Sequence, residues 1–573
     1  MFVKFHRWLS LKEKSVSVVS LAILVVYGAL AIFLAHSGQS VEWRFMLAFF
    51  PLLVVLFGVA LLRQSGLTMA FVGLILAFAL AILEFRTSVY VAIGSAAVGF
   101  LKSFPLSISC VATMLMIFLM QETGALSIVS DVIKHSIQGE EARALYIGVG
   151  FGSFVTSLGI SAPALFPPLL VTMGFSPLSS VAISVLGYSP TTSFSLLSVP
   201  ITLPADVSKS IIGVAINRFE FAFKISVFLP LISIGFAFAL LWLTGGKKAI
   251  RKGAVPAVIC GVVLGFTSLA IASVDYFTGI EYVPLRVLGI IAGSFAMVSV
   301  YIYNRITART VHEEYVRDRP SRNEIVRAFS PWILLTVLAA ISSVPQVSSW
   351  LSNLPGNLER IPVFADQTVD LDVLSQIYTW IFMAVLLSFF TLKATRKQVK
   401  NTFKMLLKRF ASPFLSFALY FCLAFVMAYS AMQVVGGNLV QLNPELNMNY
   451  VLGVTLANVF GGGYVFVAAS LGLFGAIVGG SETSSNVLFM KVQKTASDAV
   501  GLDTAGFMTV YGSHAAAGGI ASAVTPAKIN NAVATIGESR ETESLIMRRH
   551  LVIALLLTAA TGILTGILVN LGI

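Results

Sequence analysis

Uncharged apolar runs near twenty residues recur along almost the whole chain, and this constrains the fold more than any other feature. A run of that length spans the hydrocarbon core of a bilayer as a helix. In lipid every backbone N–H and C=O must be satisfied internally, so helices are the form such a chain takes. Candidate spans lie at about 15–35, 43–62, 66–84, 104–121, 220–243, 253–273, 284–304, 329–347, 373–392, 410–433 and 550–570. Composition agrees: 57% of the 573 residues are hydrophobic and 11% charged, against roughly a quarter charged in soluble domains. The fold class expected is an all-α polytopic membrane protein.

The net charge of +12 does not point to nucleic acid, because the cations gather in short loops. Lys247, Lys248, Arg251 and Lys252 fill one loop. Arg305, Arg309, Arg317, Arg319, Arg322 and Arg327 fill a second, and Lys393 to Arg409 a third. Placing these loops inside leaves 274–283 and the acidic 348–372 outside. The N-terminus then falls inside and the C-terminus outside. Lys4, Arg7, Lys12 and Lys14 precede the first apolar run, read as an uncleaved first helix because no small-x-small cleavage site follows. Cys110, Cys260 and Cys422 each lie within an apolar segment and are expected to pack rather than pair.

Two regions, 143–204 and 450–530, are apolar but interrupted by Gly, Pro, Ser, Thr and Asn. They resemble each other. FGSFVTSLGISAPALF (151–166) lies over FGAIVGGSETSSNVLF (474–489) without a gap, with six of sixteen positions identical. The flanking spans run in opposite directions: 104–121 inward and 410–433 outward, 220–243 inward and 550–570 outward. The connectors also lie on opposite sides, 88–100 before the first copy and the basic, amphipathic 393–410 before the second. Two copies of opposite orientation are the mark of an inverted-repeat secondary transporter. The expected division is a first repeat at 1–243 (scaffold helices 15–100, transport core 104–243), a one-helix linker at 244–283, and a second repeat at 284–573 (scaffold 284–410, core 411–573).

Broken backbone at membrane depth survives only where protein buries it or water reaches it. The run GSETSSN (480–486) therefore predicts the tip of a re-entrant hairpin, with 464–479 entering and 484–497 returning. Ser481, Thr483 and Ser484 are good N-cap residues, and their hydroxyls with the free N–H groups of the return helix would form an anion pocket; Ser485 and Asn486 are further substrate-binding candidates. Thr156 to Pro163, with Thr156 and Ser161, would form the facing tip. Breaks at 187–192 and 512–519 would carry Ser189, Thr191, Thr192, Ser513 and Thr525 to the same depth. Each hydroxyl has an alternative, bonding back to its own helix.

Glu482 is the acid expected deepest in the membrane, where acids are costly and usually functional. Either it exchanges a coupling proton or it caps the return helix. His514 alone among six histidines lies in an apolar region; it either donates to a substrate or relays protons, or it is a satisfied core histidine. Lys528 and Asn530 either attract an anion or mark the inner membrane face. Asp206 and Glu122 read as interfacial. No phosphate-binding Gly-rich loop, metal cluster or nucleophile–base pair stands out. No enzyme activity and no cofactor are expected, and transport driven by a proton gradient, or by sodium, remains.

The motifs carry a resemblance. GSETSSNVLF (480–489) resembles the G-S-[DE]-T-S-S-N-x-L-F run of the L-lactate permease family. Gly518-Gly519 with Ser522, Thr525-Pro526 and Ile529 resembles its later G-G-x-x-x-x-x-[ST]-P-x-x-I pattern. FGSF (151–154), Ala162-Pro163 and Met173-Gly-Phe-x-Pro177 fit equivalent places in the first half. The likeness runs from about residue 86 to the C-terminus. It implies proton-coupled import of lactate, glycolate or a similar 2-hydroxymonocarboxylate across the cell membrane of a prokaryote. The broader ion-transporter superfamily implies an elevator. Membrane lipids are further partners, and a homodimer stays open. Where that family commonly carries an acid in the first tip, in a run like E-G-A-A-G-F-G-A-P, this chain has TSLGISAP, one residue shorter and without the acid. The alternatives kept are a sodium-coupled carrier of another organic anion and an ion antiporter or channel.

Overall fold

A computed structural model describes residues 21–33, 41–60, 62, 64–159, 162–307, 320–355, 361–364, 367–536, 538 and 540–572. The chain is an all-α polytopic membrane protein. Its only strands among the described residues are two short antiparallel hairpins, Ile361–Phe364 with Gln367–Val369 and Met432–Val435 with Asn438–Gln441.

Most expected spans form helices, among them Val41–Ala60, Gly66–Leu83, Phe104–Glu122, Leu285–Thr307, Arg322–Ser343, Ile377–Thr391, Ala411–Ala428 and Arg540–Asn570. The helical stretch Leu229–Thr278 is really two crossings. Gly245 (φ −148°, ψ 16°) and Gly246 (φ 61°, ψ −150°) leave helical geometry, and the chain doubles back there. A Cβ at Gly261 would stand 2.7 Å from the Ile234 Cα, and one at Gly265 about 2.5 Å from the Pro230 Cα. Only glycine allows two backbones to approach this closely, as small residues do at membrane helix contacts. The basic loop thus caps a helical hairpin.

Packing is reciprocal between the two halves. Helix Val89–Lys102 lies on Ala411–Ala428, and Arg396–Arg409 lies on Phe104–Glu122. Gly66–Leu83 packs on Ala411–Ala428, and Ile377–Thr391 on Phe104–Glu122. Two aromatic contacts repeat the exchange. Phe151 meets Trp332 at 6.0 Å and Phe166 at 5.5 Å; Phe474 meets Phe49 at 5.4 Å and Phe489 at 5.9 Å. Phe151 and Phe474, like Phe166 and Phe489, are identical positions of the gapless alignment.

Arg396–Arg409 presents Lys397, Lys400, Lys404 and Lys408 outward and buries Thr402 and Leu406. Thr395 and Gln398 close a capping box at its start, which satisfies two free backbone donors. Gln398 Nε2 and Asn401 Nδ2 reach the backbone carbonyl and side chain of Glu122 at 2.9 and 3.1 Å, tying the basic helix to the end of a span.

Gly99 sets the spacing of one of these contacts. A Cβ there would lie 2.6 Å from the Phe421 carbonyl oxygen and 2.8 Å from the Cys422 Cα, both backbone atoms. Gly99→Val should therefore destabilise the protein by about 1–3 kcal/mol, the cost of overpacking. Thermal unfolding of the detergent-solubilised variant checks this; an unchanged melting temperature would show that the helices can part freely.

Candidate functional site

The second hairpin forms from Tyr464–Gly479 and Glu482–Ala499. Its tip is tighter than the polar run suggests. Only Gly480 (φ 70°) and Ser481 lie outside the helices. The Ser481 hydroxyl accepts the Ser484 N–H at 3.1 Å and lies 2.8 Å from the Ser484 hydroxyl. That cap pulls the helix start to Glu482, so Glu482 to Asn486 belong to its opening turns. A left-handed Gly480 suits a helix end because no Cβ opposes it.

In the first half, Glu140–Leu145, a π-bulge at Tyr146–Phe151 and Gly152–Ser157 form one arm, and Ala162–Thr172 the other. Thr156 is buried and its hydroxyl has no partner among the described residues. A Cβ on Gly159 (φ 87°) would meet Thr113 and Leu196 at 2.6 Å each. Ser161 lies outside the described residues.

The first broken helix follows the expectation. Pro177–Leu186 gives way to a 3₁₀ segment, Ser189–Phe194, and helix resumes within Ser195–Ile212. Leu196, Leu197 and Ser198 have φ of 48°, 58° and 64°. Left-handed conformations cost L-residues roughly 1–2 kcal/mol each. Ser198 Oγ donates to the Leu285 carbonyl at 2.7 Å, which holds the turn in place.

The second break does not lie at 512–519, as the glycines suggested. Helix Thr504–Ile520 runs through them and unwinds at Ala521–Val524, with an extended Thr525 before Pro526–Thr535. Small residues here serve close approach, not unwinding. A Cβ on Gly512 would lie 2.8 Å from the Lys224 Cβ; on Gly518, 3.1 Å from the Glu482 Cγ; on Gly519, 3.2 Å from a Glu482 oxygen and 3.4 Å from the Ser189 carbonyl oxygen.

Glu482 therefore stands where the second tip meets both broken helices. Its side chain is 1% exposed. Ser193, Asn486, the Lys528 ammonium and the Tyr511 phenol, which donates to the Asn486 carbonyl at 2.8 Å, are polar groups around it, yet neither carboxylate oxygen meets a donor in full hydrogen-bonding geometry among the described residues. Asn486 Nδ2 donates to the Pro200 carbonyl at 3.0 Å, while its Oδ1 is buried without a partner among the described residues. Lys528 Nζ donates to Ser522 Oγ at 2.9 Å and lies 5.5 Å from the centre of the Tyr188 ring. No ion pair joins it to Glu482 among the described residues. The two breaks touch: Ser189–Phe194 packs on Ala521–Val524, and Ser195–Ile212 on Glu482–Ala499.

Five of the predicted hydroxyls spend their protons on their own helices. Ser189 donates to Val185 (3.1 Å), Thr191 to Tyr188 (3.3 Å), Thr192 to Ser189 (3.0 Å), Ser513 to Val510 (2.8 Å) and Thr525 to Ala521 (2.9 Å). They present lone pairs, so they can accept but not donate. Thr483 is buried in the first turn of the return helix. The donors facing an anion are Lys528 and the opening N–H groups of that helix. The sequence alone leaves Lys528 undecided and does not single out Ser193. An ammonium two residues after Pro526, at a helix start where the backbone dipole opposes it, was the available signal for Lys528; Ser193 had none beyond its place in a broken run.

His514 has both ring nitrogens occupied. Gln493 Nε2 lies 2.9 Å from Nδ1 and Ser485 Oγ 3.1 Å from Nε2. Tyr464 donates to Gln493 Oε1 at 2.6 Å, and Ser485 is 3.3 Å from the Gly472 carbonyl. One assignment satisfies every atom: Gln493 donates to Nδ1, Nε2–H donates to Ser485, and Ser485 donates to Gly472. This neutral ring clamps the two arms of the hairpin to Thr504–Ile520. Gln493→Leu would leave a buried imidazole nitrogen unpaired and remove the partner of the Tyr464 hydroxyl. A loss of about 1–3 kcal/mol follows for each group left unsatisfied, to be read as a lower melting temperature; a stability equal to wild type would remove the clamp.

Comparison with known proteins agrees with the motifs. A family model described as L-lactate permease matches residues 44–572. The L-lactate permease of Escherichia coli K12 is 24% identical over 551 residues, covering 91% of this chain and 95% of that one. The glycolate permease GlcA of the same strain is 24% identical over 570 residues, covering 91% and 94%. The L-lactate permease of Bacillus subtilis 168 is 24% identical over 541 residues, covering 86% and 90%. The YdaH transporter of Alcanivorax borkumensis superposes with a TM-score of 0.39 at 16% identity, over 83% of this chain and 88% of that one, too loosely to define the fold. With a model spanning nearly its whole length, this chain belongs to the L-lactate permease family.

Proposed function

We propose that the protein is a secondary active transporter of a small 2-hydroxymonocarboxylate, lactate or glycolate, coupled to protons. The observation that carries the reading is the cluster at the crossing: buried Glu482, which Ser193 and Asn486 approach without full hydrogen-bonding geometry, Asn486 Oδ1 without a partner among the described residues, and Lys528 close by, bonded to Ser522 but in no ion pair with Glu482 among those residues. Buried polar groups in native proteins are normally satisfied, and an unsatisfied cluster marks a place where a ligand can complete the bonding. A 2-hydroxy acid complements them. Its carboxylate suits the Lys528 ammonium and the free N–H groups opening Glu482–Ala499. Its hydroxyl can donate to Asn486 Oδ1 or to a Glu482 oxygen.

Glu482 then has a role in coupling. A buried carboxylate without a partner is strongly disfavoured unless a proton or a cation neutralises it. Carrying an anion past it is easiest when it carries a proton, which links substrate to proton one for one at this residue. The relatives' names, L-lactate permease and glycolate permease, support the substrate class. The missing acid in the first tip leaves Glu482 as the tip carboxylate that handles the proton.

The reciprocal helix packing supports two inverted repeats at 1–243 and 284–573 with a linker between them, and an elevator-type movement of the hairpins and broken helices. The basic loops support a cytoplasmic N-terminus, and membrane lipid rather than nucleic acid as the partner of the Arg396–Arg409 helix. His514 serves in this reading as a structural clamp. Sodium keeps one specific argument: the lone pairs of Ser189, Thr191 and Thr192 could cage a cation.

Uptake of labelled L-lactate into proteoliposomes should saturate, follow an imposed proton gradient and collapse with a protonophore. Dependence on sodium alone would replace protons with sodium as coupling ion, and ion flux without lactate saturation would end the carrier reading. Glu482→Gln should abolish uphill accumulation but keep lactate–lactate exchange, and full accumulation in that variant would remove Glu482 from coupling. Lys528→Gln should raise KM at least about tenfold, as expected for losing one charge-assisted hydrogen bond; an unchanged KM would take Lys528 out of the site.

A further inference from the structure

A second polar site lies outside the crossing. A cavity of about 290 Å³ is lined by Arg218, Glu281, Arg286, Thr202 and a cluster of serines that includes Ser342, Ser348 and Ser349. Serines and two guanidiniums around a cavity contrast with the apolar surfaces of a membrane protein. The wall carries two Arg against one Glu, and that Glu is engaged. Its Oε2 takes Arg218 Nη2 at 3.1 Å and its Oε1 takes the Leu285 N–H at 2.8 Å. Arg286 is held by neutral groups: Nη1 donates to Ser342 Oγ and Nη2 to the Ser375 carbonyl, both at 3.3 Å. These neutral acceptors orient the guanidinium without cancelling its charge. Asp206 also acts on both arginines, which moderates the field without lining the cavity.

We propose that this cavity is an anteroom that captures a small monocarboxylate before it reaches the crossing. The cavity has room for an anion of a few heavy atoms and its waters. Arg286 supplies the charge, and the Ser348 and Ser349 hydroxyls can donate to a carboxylate. Two residues of its wall connect to the first broken helix. Thr202 is two residues from Pro200, whose carbonyl takes Asn486. Leu285, another wall residue, holds the left-handed Ser198. The turn at 196–198 therefore stands between the two chambers. The anteroom opens beside the 274–283 loop, so it serves substrate arriving from that face of the membrane only.

This inference rests on the carboxylate reading above, and its test separates the two. Ser349→Cys, placed in a background with Cys110, Cys260 and Cys422 replaced, would report the cavity's potential without any transport. An anionic thiosulfonate reagent should modify it about tenfold faster than a cationic one of similar size. Arg286→Gln should remove that preference, and millimolar L-lactate should slow the reaction. In sided membrane vesicles, Arg286→Gln should raise KM for lactate about tenfold from the 274–283 face and leave KM from the other face unchanged. Arg218→Gln, which frees Glu281 to face the cavity, should raise the same KM and serves if Arg286→Gln does not fold. Equal rates for the two reagents, or KM shifts equal from both faces, overturn the anteroom. An anionic preference in a protein that neither binds nor moves lactate would sustain an anion site here and sink lactate as the substrate.

Discussion

Every feature of this molecule answers to one constraint: a helix that stops inside a membrane must hand its free backbone groups to something other than lipid. Here the interruptions satisfy one another. The second tip is capped by Ser481 and buried against Thr504–Ile520. The first break is held by Asn486, reaching from the opposite hairpin to the Pro200 carbonyl, and by Leu285, which takes the Ser198 hydroxyl. Gly187 lies so close to the Gly148 backbone that no side chain fits between them. Breaks that cost energy singly become tolerable as a set, because each supplies the cover another needs.

That mutual cover also explains why the chemistry collects in one place. A hydroxyl on a helix usually bonds back to the preceding turn, and Ser189, Thr191, Thr192, Ser513 and Thr525 all do so. They shape a polar wall but donate nothing. Among the buried groups without a full hydrogen-bond partner in the described residues are Glu482, Asn486 Oδ1 and Thr156, and the Lys528 ammonium lies near Glu482. The imbalance between many acceptors and one cation suits a molecule that brings both an acid group and a hydroxyl. His514, the most conspicuous titratable residue in the sequence, is instead absorbed into a closed network that stiffens the hairpin.

Much of the fold is legible in the residues alone. Long apolar runs reveal spans because their length and composition determine whether they can cross a bilayer. The hairpin at 464–499 is legible because a polar run flanked by two apolar ones can reach that depth only as a turn buried by protein. The near-equivalence of 151–166 and 474–489 is legible as identity, and the paired rings at Phe151–Phe166 and Phe474–Phe489 give it a physical basis. The misplaced break at 512–519 has an equally physical origin. Glycine marks either unwinding or close approach, and composition does not distinguish them. Gly518 and Gly519 stay helical because Glu482 must lie against them.

By itself the sequence determined the membrane class, the two interrupted regions and their likeness, and the small vocabulary of Ser, Thr, Asn, Glu and Lys from which a site could be built. These are local properties: run length, periodicity and the capping chemistry of single residues. Only the tertiary structure decided which of those residues meet. Glu482 and Ser193 are 289 residues apart in the chain, and Lys528 reaches Tyr188 from the other half of the molecule. Which hydroxyls keep a free proton and which histidine nitrogen is taken also depend on partners that arrive from distant segments. No local pattern encodes that exchange, because hydrogen bonds are assigned by proximity in space and proximity here is set by helices crossing.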